Sequence, residues 1–272
     1  MSEDIIAEIK RDYIYNLAKK GKRVDGRAFD EYRSIEVETR LINNAEGSAK
    51  VKIGNTQVVV GVKIQPGKPF PDTPGQGAII TNAEFAPIAS PSFEPGPPDE
   101  NATELARVVD RGVRESGAID LAKLCITEGE NIWMVFIDVY VLDHDGNLVD
   151  ASALGAIAAL LTTKLPNVRY GLGTEDVPLP ISDLPVAITA ADIDGEILLD
   201  PSLDEELIAS TLITIITGKD GSLAGIQKSG MGPLTFDQIF HITDLAYKRA
   251  KDIREKYLEI VDDQIGEEGK KD

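Results

Sequence analysis

The spacing of apolar residues divides the chain into recognisable helices and strands. Residues 3–20 carry apolar side chains at helical spacing and are followed by Gly21, which predicts a helix ending there. Apolar and charged residues alternate at 35–38, which predicts a strand. The same alternation flanks a Gly54-Asn55 pair within residues 47–64, which predicts a β-hairpin.

A proline-rich region follows the hairpin, since residues 66–98 hold nine of the fifteen prolines. They enclose a strand-like segment, AIITNAEF. Residues 101–118 then predict a helix, capped by Asn101 or Thr103. The run IWMVFIDVYVL is too apolar for either face to be exposed, which predicts a central strand buried on both faces. A D-H-D-G turn ends it, and a buried helix is expected over 152–164.

The second half of the chain echoes the first. VAITAADIDGEILLDPS resembles VYVLDHDGNLVDAS in having a strand, a D-x-D-G turn, an apolar strand and an aspartate, which suggests related hairpins. Asp220-Gly221 marks another hairpin turn. Thr235 and Gln238 form a predicted capping box for the last helix. That helix is expected to bury four apolar side chains, Phe236, Ile239, Phe240 and Ile253. The tail DDQIGEEGKKD is expected to fray.

This order of elements predicts an α+β fold whose two parts share a core. The predicted segments are an N-terminal helix (1–21), a first subdomain (22–165), a connecting segment (166–185), a second subdomain (186–258) and an acidic tail (259–272).

Composition narrows the class of protein. The chain has 272 residues, 42% of them hydrophobic, and neither a membrane-spanning run nor a signal peptide is recognisable. We therefore expect a cytoplasmic protein. Cys125 is the only cysteine and lies in an apolar run, which favours a buried, inert thiol. His144 and His241 form no metal-binding pattern, so no metal site is expected.

The net charge of −18 argues against nonspecific binding of nucleic acid by the whole surface. One predicted helix, over residues 101–118, differs from this acidic surface because it carries three arginines on one face. With Arg107 placed at zero on a helical wheel, Arg111 lies near 40° and Arg114 near −20°, opposite an apolar face. Glu104, Asp110 and Glu115 lie within reach of these arginines. The arginines therefore either pair with these acids or bind an anionic ligand.

Four segments, in order, resemble a known family: KRVDGR, EGSAKVKIGNTQVVVGVK, ELARVVDRGVRES and IDVYVLDHDGNLVDAS. They are similar to the RNase PH-like subunits of the exosome, over about residues 22–255. Within that family the chain looks most like the non-catalytic ring subunit of the archaeal exosome.

The resemblance implies an RNase PH-like fold of duplicated β-α units, of the ribosomal protein S5 domain 2-like type. It also implies a hexameric ring, a trimer of heterodimers in which this chain alternates with a catalytic RNase PH-like subunit. RNA-binding cap subunits and single-stranded RNA are the other implied partners, and no membrane is involved.

Two features place the chain in the non-catalytic branch. Catalytic relatives follow the turn matching Asp145-Gly146 with a Ser-Arg pair that holds phosphate, whereas this chain has Asn147-Leu148 and nearby Asp150. Catalytic relatives also carry an acid in the strand that here reads STLIT, at 210–214. Four acids remain nearby, Asp200, Asp204, Glu205 and Glu206, and a helix N-terminus or solvated turn accounts for them.

No catalytic or metal-binding residue is therefore expected in this chain, and it needs no cofactor of its own. Inorganic phosphate, with a divalent metal where one is used, belongs to the partner's active site. The resemblance further implies that Arg107, Arg111 and Arg114 bind the RNA substrate. Two alternatives stay open: a self-sufficient phosphate-dependent 3′ exoribonuclease that uses Asp200 and its neighbours, and a scaffold without RNA contact.

Overall fold

A computed structural model describes the backbone of residues 2–262 and the side chains of residues 10–262. The predicted tail therefore lies almost entirely outside the described residues. Six α-helices occur in the described part of the chain: α1 Ser2–Ala18, α2 Glu100–Glu115, α3 Leu148–Leu161, α4 Asn167–Tyr170, α5 Leu203–Ile208 and α6 Phe236–Ile253. A 3₁₀ turn, Leu121–Leu124, and a π-turn, Arg254–Leu258, complete the helical segments.

The strands form two principal sheets and one small one. The first sheet has the order β1-β2-β3-β6-β4, with β5 also pairing with β6. Its strands are β1 Ile35–Thr39, β2 Gly47–Ile53, β3 Thr56–Gly67, β4 Ala78–Phe85, β5 Cys125–Thr127 and β6 Asn131–Asp143. The second sheet has the order β10-β9-β11-β12, with β9 Val186–Ile193, β10 Glu196–Leu199, β11 Thr211–Thr217 and β12 Leu223–Ser229. β7 Lys164–Leu165 and β8 Val177–Pro178 pair with each other.

Helices join the two sheets into one α+β unit. α3 packs on β2, β3 and β9, while α6 packs on β9 and β11. One cluster of buried side chains includes Val139 of the first sheet, Leu154 of α3 and Ile188 of the second sheet. The predicted shared core is confirmed, whereas the exact division into 22–165 and 186–258 stays a prediction.

Several predicted elements are confirmed. The N-terminal helix, the strand at 35–39 and both hairpins form where the patterns place them. The capping box of α6 also forms. These elements are specified by local spacing and by turn residues, which is why short stretches of sequence were sufficient to find them.

The prediction of a central strand buried on both faces is confirmed for its position and wrong for its burial. β6 does lie between β3 and β4, but Tyr140 and Leu142 are 40% and 39% exposed. The helices cover only one side of this sheet, and a largely antiparallel sheet can leave its other face open. The expected burial of Cys125 was also wrong, because that residue is half-buried at the short β5.

The turn after β6 differs from its echo. Asn147 adopts a left-handed conformation and α3 begins at once, at Leu148 rather than at Ser152. The matching segment after Asp194-Gly195 is instead a strand, β10. The two D-x-D-G segments are therefore not related hairpins, because an Ala-rich stretch with high helix propensity follows only the first.

The prediction of the core-facing side of α6 is confirmed for Ile253 and wrong for Phe236 and Phe240. Ile242, Ala246, Ala250 and Ile253 are buried, whereas Phe236 and Phe240 are 81% and 68% exposed. Phe240 lies about 140° around the helix from Ile253, so the two cannot share one narrow stripe. Small alanines let the helix pack closely on β9, and this signal is weaker in the sequence than the phenylalanines.

Candidate nucleic-acid interface

α2 is held between the two sheets by its apolar face. Leu105 and Val109 join the principal core, and Val108 packs with Ala187 and Ile216 of the second sheet. Asp99 caps the N-terminus of the helix, and its side chain accepts a hydrogen bond from the Ala102 N–H at 2.7 Å. The predicted caps, Asn101 and Thr103, were wrong because the carboxylate of Asp99 reaches the free N–H groups first.

The structure brings Arg107, Arg111 and Arg114 together on the outward face of α2. Arg107 and Arg114 are exposed and Arg111 is half-buried. This face lies between β4, an edge strand of the first sheet, and β12, an edge strand of the second. The three guanidinium groups therefore occupy the seam where both sheets end.

The three arginines differ in their partners. Arg114 pairs with Asp110 at 3.0 Å and donates a further hydrogen bond to the Ile79 carbonyl. Arg111 donates to the Gln227 side chain of β12 at 3.0 Å. Arg107 has no ionic or hydrogen-bond partner in the described part of the chain. The ion-pair interpretation thus holds for Arg114 alone.

Gln227 is a contact that the sequence analysis missed. Its amide nitrogen donates to Glu104 at 3.1 Å while its oxygen accepts from Arg111, so it bridges an acid and a base of α2. It lies 116 residues from Arg111 in sequence, and no local pattern marks it. The result is that Glu104 does not neutralise any of the three arginines.

A second polar cluster surrounds the Asp145-Gly146 turn, at the start of α3. Asp200 is fully buried and accepts hydrogen bonds from Arg27 at 2.9 Å, from Asn147 at 2.7 Å and from Arg33 at 2.8 Å and 2.9 Å. Arg23 is likewise buried, and its guanidinium forms an ion pair with Glu205.

The position of these arginines beside the turn was not predicted from the sequence, which has Asn147-Leu148 where catalytic relatives have a Ser-Arg pair. Their guanidinium groups are nevertheless already paired with carboxylates. Arg23 pairs with Glu205, while Arg27 and Arg33 share Asp200. Asp25 also pairs with Arg27, and Asp145 with Arg33. The pattern KRVDGR contains two of them, Arg23 and Arg27, and is the only sequence signal that could have identified them. The cluster does not fit an inorganic phosphate, because carboxylates already occupy the positions that phosphate oxygens would take.

The four acids near this turn are only partly explained as a helix N-terminus. Asp204, Glu205 and Glu206 do lie in the first turn of α5. Asp204 is 41% exposed and pairs with Lys10. Asp200 and Glu205 are buried, so the interpretation as a solvated turn was wrong for them.

Burial and charge shift the titration of these acids in opposite directions. Burial raises the pKa of Glu206 to about 7 and that of Asp150 to about 6. Burial also acts to raise the pKa of Asp200, but hydrogen bonds and the charge of Arg33 outweigh it and leave this pKa below its ordinary value. Glu206 accepts the Asn147 N–H at 2.7 Å.

The expected strand without a carboxylate is present as β11, whose Thr214 hydroxyl meets Thr189 at 2.8 Å. In residues 2–262, no group of three histidine, cysteine or acidic side chains is arranged to hold a metal ion. None of the helices described is both long enough and apolar enough to cross a membrane.

Comparison with known proteins identifies the family. Residues 31–166 match domain 1, and residues 183–249 match domain 2, of the 3′ exoribonuclease family of the RNase PH type. A Methanocella arvoryzae protein named exosome complex component Rrp42 is 68% identical, over 94% of this chain and 98% of its own. The protein of that name from Archaeoglobus fulgidus is 55% identical, over 96% of this chain and 100% of its own.

Solved structures agree with these matches. One chain, from an Archaeoglobus fulgidus exosome with RNA bound to the active site, is 54% identical with a TM-score of 0.91, and the match covers 93% of this chain and 99% of that one. A chain of an archaeal exosome core is 50% identical with a TM-score of 0.88, over 94% and 99%. The chain therefore belongs to the 3′ exoribonuclease family and has the RNase PH-like α+β fold.

Proposed function

We propose that this chain is a non-catalytic subunit of an archaeal exosome, a 3′-to-5′ phosphorolytic exoribonuclease ring, and that it binds the RNA substrate. One observation carries the proposal: the chain presents three arginines at the seam of its sheets while the ionic groups at the Asp145-Gly146 turn neutralise one another. The chain thus has groups to hold RNA, whereas the cluster at this turn offers no free site for inorganic phosphate.

The chemistry of α2 suits an RNA backbone. A guanidinium can donate two parallel hydrogen bonds to phosphate oxygens, and such contacts do not depend on the base. Arg107 is the strongest candidate because none of the described residues competes for it as a partner. Arg111 and Arg114 would exchange Gln227 and Asp110 for phosphate, so their contributions should be smaller.

The assembly we propose is a ring in which this chain alternates with a catalytic RNase PH-like subunit, three heterodimers in all. Four edge strands of the two principal sheets, β1, β4, β10 and β12, have one side unpaired in the described residues, and subunit contacts can cover such edges. RNA-binding cap subunits would contact the ring, and the complex would act in the cytoplasm. Phosphate, and any divalent metal, would bind at the partner's active site.

Replacing Arg107, Arg111 and Arg114 together by alanine in the assembled complex tests the RNA contact. If all three bind single-stranded phosphates, the slope of log affinity against log salt should fall by about 2. Lys248→Gln serves as a control, because Lys248 is an exposed cation without a partner in the described chain. An unchanged affinity and slope in the triple variant would leave only the scaffold without RNA contact.

The alternative, a self-sufficient exoribonuclease, has one supporting observation. The pKa of Glu206 is about 7, near the value that suits a proton donor at neutral pH. Against it, Glu206 already accepts the Asn147 N–H, and Asp200 is fully buried. Incubating the purified chain with RNA and phosphate, alone and with its partner, separates the two functions.

A further inference from the structure

A further group of cations lies beside the start of β2, three strands away from β4 in the first sheet. A cavity of about 320 Å³ opens there between the loop before β2 and the segment after α3. We call this cavity the basic pocket, after the three cations in its wall, Arg40, Lys164 and Arg169.

The basic pocket carries a local excess of positive charge. Its two acids are Glu46 and Asp176. Glu46 is neutralised from both sides, by Arg169 at 2.5 Å and by Lys63 at 3.7 Å. Lys164 is exposed and has no partner in the part of the chain that the structure describes. At a net charge of −18, such a concentration of cations is unusual for this chain.

The wall of the pocket is held in place by the backbone. Arg40 has a positive φ of 60°, which a non-glycine residue adopts only when its surroundings enforce it. Its N–H donates to the Ser48 carbonyl at 2.8 Å, and the Ser48 hydroxyl accepts the Ile42 N–H at 2.9 Å. A Cβ on Gly47 would lie 2.4 Å from the Ala159 carbonyl, so the loop is packed tightly on α3. The pocket is therefore formed before any ligand arrives.

The strand register places the pocket level with one end of the arginine face. Glu46 accepts the Ile64 N–H of β3. Ile64 lies opposite Val135 of β6, which lies opposite Ile79 of β4. Arg114 donates to the Ile79 carbonyl. Three strand spacings separate the two places, on the order of 14 Å.

We propose that the basic pocket binds a backbone phosphate of the same RNA chain that Arg107 contacts, beyond the segment lying on α2. This inference rests on the proposed function, since it assumes that RNA reaches this subunit. Lys164 supplies the cation that contacts the phosphate, at the wall that it shares with Arg40 and Arg169. The contact is independent of base identity and extends the length of RNA that the subunit holds.

RNAs of two lengths test the pocket in the assembled complex, in buffer free of inorganic phosphate so that no phosphorolysis occurs. Lengths of about 4 and about 16 nucleotides span the usual site sizes of single-strand grooves. Lys164→Gln should weaken binding of the longer RNA about fivefold near 0.1 M salt and lower its salt slope by about 0.7, the effect of one phosphate contact. Binding of the shorter RNA should not change. Lys164→Glu should weaken binding of the longer RNA further. Lys248→Gln should not change the binding of either RNA.

The two proposals fail in different ways. Arg107→Gln should weaken the binding of both RNAs, and an unchanged affinity for both would overturn the proposed RNA contact of α2. If Lys164→Gln and Lys164→Glu bind the longer RNA as the wild type does, the basic pocket holds no RNA phosphate and the inference is wrong. Equal losses for both lengths would also overturn it, because the pocket would then not lie beyond the segment on α2.

Discussion

Asp200→Asn removes the negative charge from the buried cluster at the Asp145-Gly146 turn while keeping the size of the side chain. Arg33 would then lack its principal counter-charge, and Arg27 would keep only its pair with Asp25. Both side chains are largely buried, at 9% and 10% exposed. Breaking a buried ion pair by removing one partner costs about 3–5 kcal/mol. We therefore expect the free energy of unfolding to fall by about that amount, a large share of the stability of an ordinary domain.

Urea denaturation at pH 7 measures this cost, with Asp204→Asn as the matched control. Asp204 lies four residues away, is 41% exposed and pairs with Lys10, so its loss should cost at most about 1 kcal/mol. The pKa of Asp200 is lowered in the fold, so its contribution is present above its ordinary value of 3.8 and is lost as the pH falls through the folded value. The difference in the free energy of unfolding between the wild type and Asp200→Asn should therefore shrink as the pH falls.

A cost for Asp200→Asn no larger than that for Asp204→Asn would refute the reasoning. The arginines at this turn would then not depend on Asp200, and they would remain available to an anion. The pairing of these arginines would then no longer be a reason for regarding the turn as unable to hold phosphate. The absence of the Ser-Arg pair found in catalytic relatives would be the remaining reason.

Two further outcomes are expected. Because the pKa of Glu206 rises from 4.5 to about 7 on folding, the unfolded chain loses this proton first as the pH rises, and the fold loses stability between those values. The free energy of unfolding of Glu206→Gln should therefore equal that of the wild type near pH 4 and exceed it at pH 8 by up to about 3 kcal/mol. Denaturation at each pH measures this difference, and a difference that does not change with pH would contradict the prediction. Asp110→Asn should free Arg114 and strengthen RNA binding up to about fivefold near 0.1 M salt, with a steeper salt dependence in a binding titration; weaker binding would count against this role of Arg114.

Local pattern predicted most of the elements, but not the contacts that decide the chemistry. The hairpin of β2 and β3 and the arginine face of α2 follow from spacings within a few residues. The ionic cluster joins Arg27 and Arg33 to Asp200 across 173 and 167 residues, and no spacing rule connects such distant positions. The buried face of α6 was missed because alanines, not phenylalanines, pack against β9.

The partners of the α2 arginines also depend on the fold. Three acids of α2 were within reach of the arginines in sequence, yet among the described residues only Asp110 forms an ion pair with one of them. Glu104 instead accepts a hydrogen bond from Gln227 of β12, whose oxygen accepts one from Arg111. Arg107 could be placed on the exposed face from its sequence position. That it lacks a partner among the described residues could be learned only once β4 and β12 were in place.

The central claim is that this chain holds RNA but does not cleave it. Release of nucleoside diphosphates from single-stranded RNA, with the purified chain in phosphate buffer and then with its catalytic partner added, tests this most directly. We predict no release by the chain alone and release once the partner is present. Nucleoside diphosphates formed by the chain alone would contradict the claim.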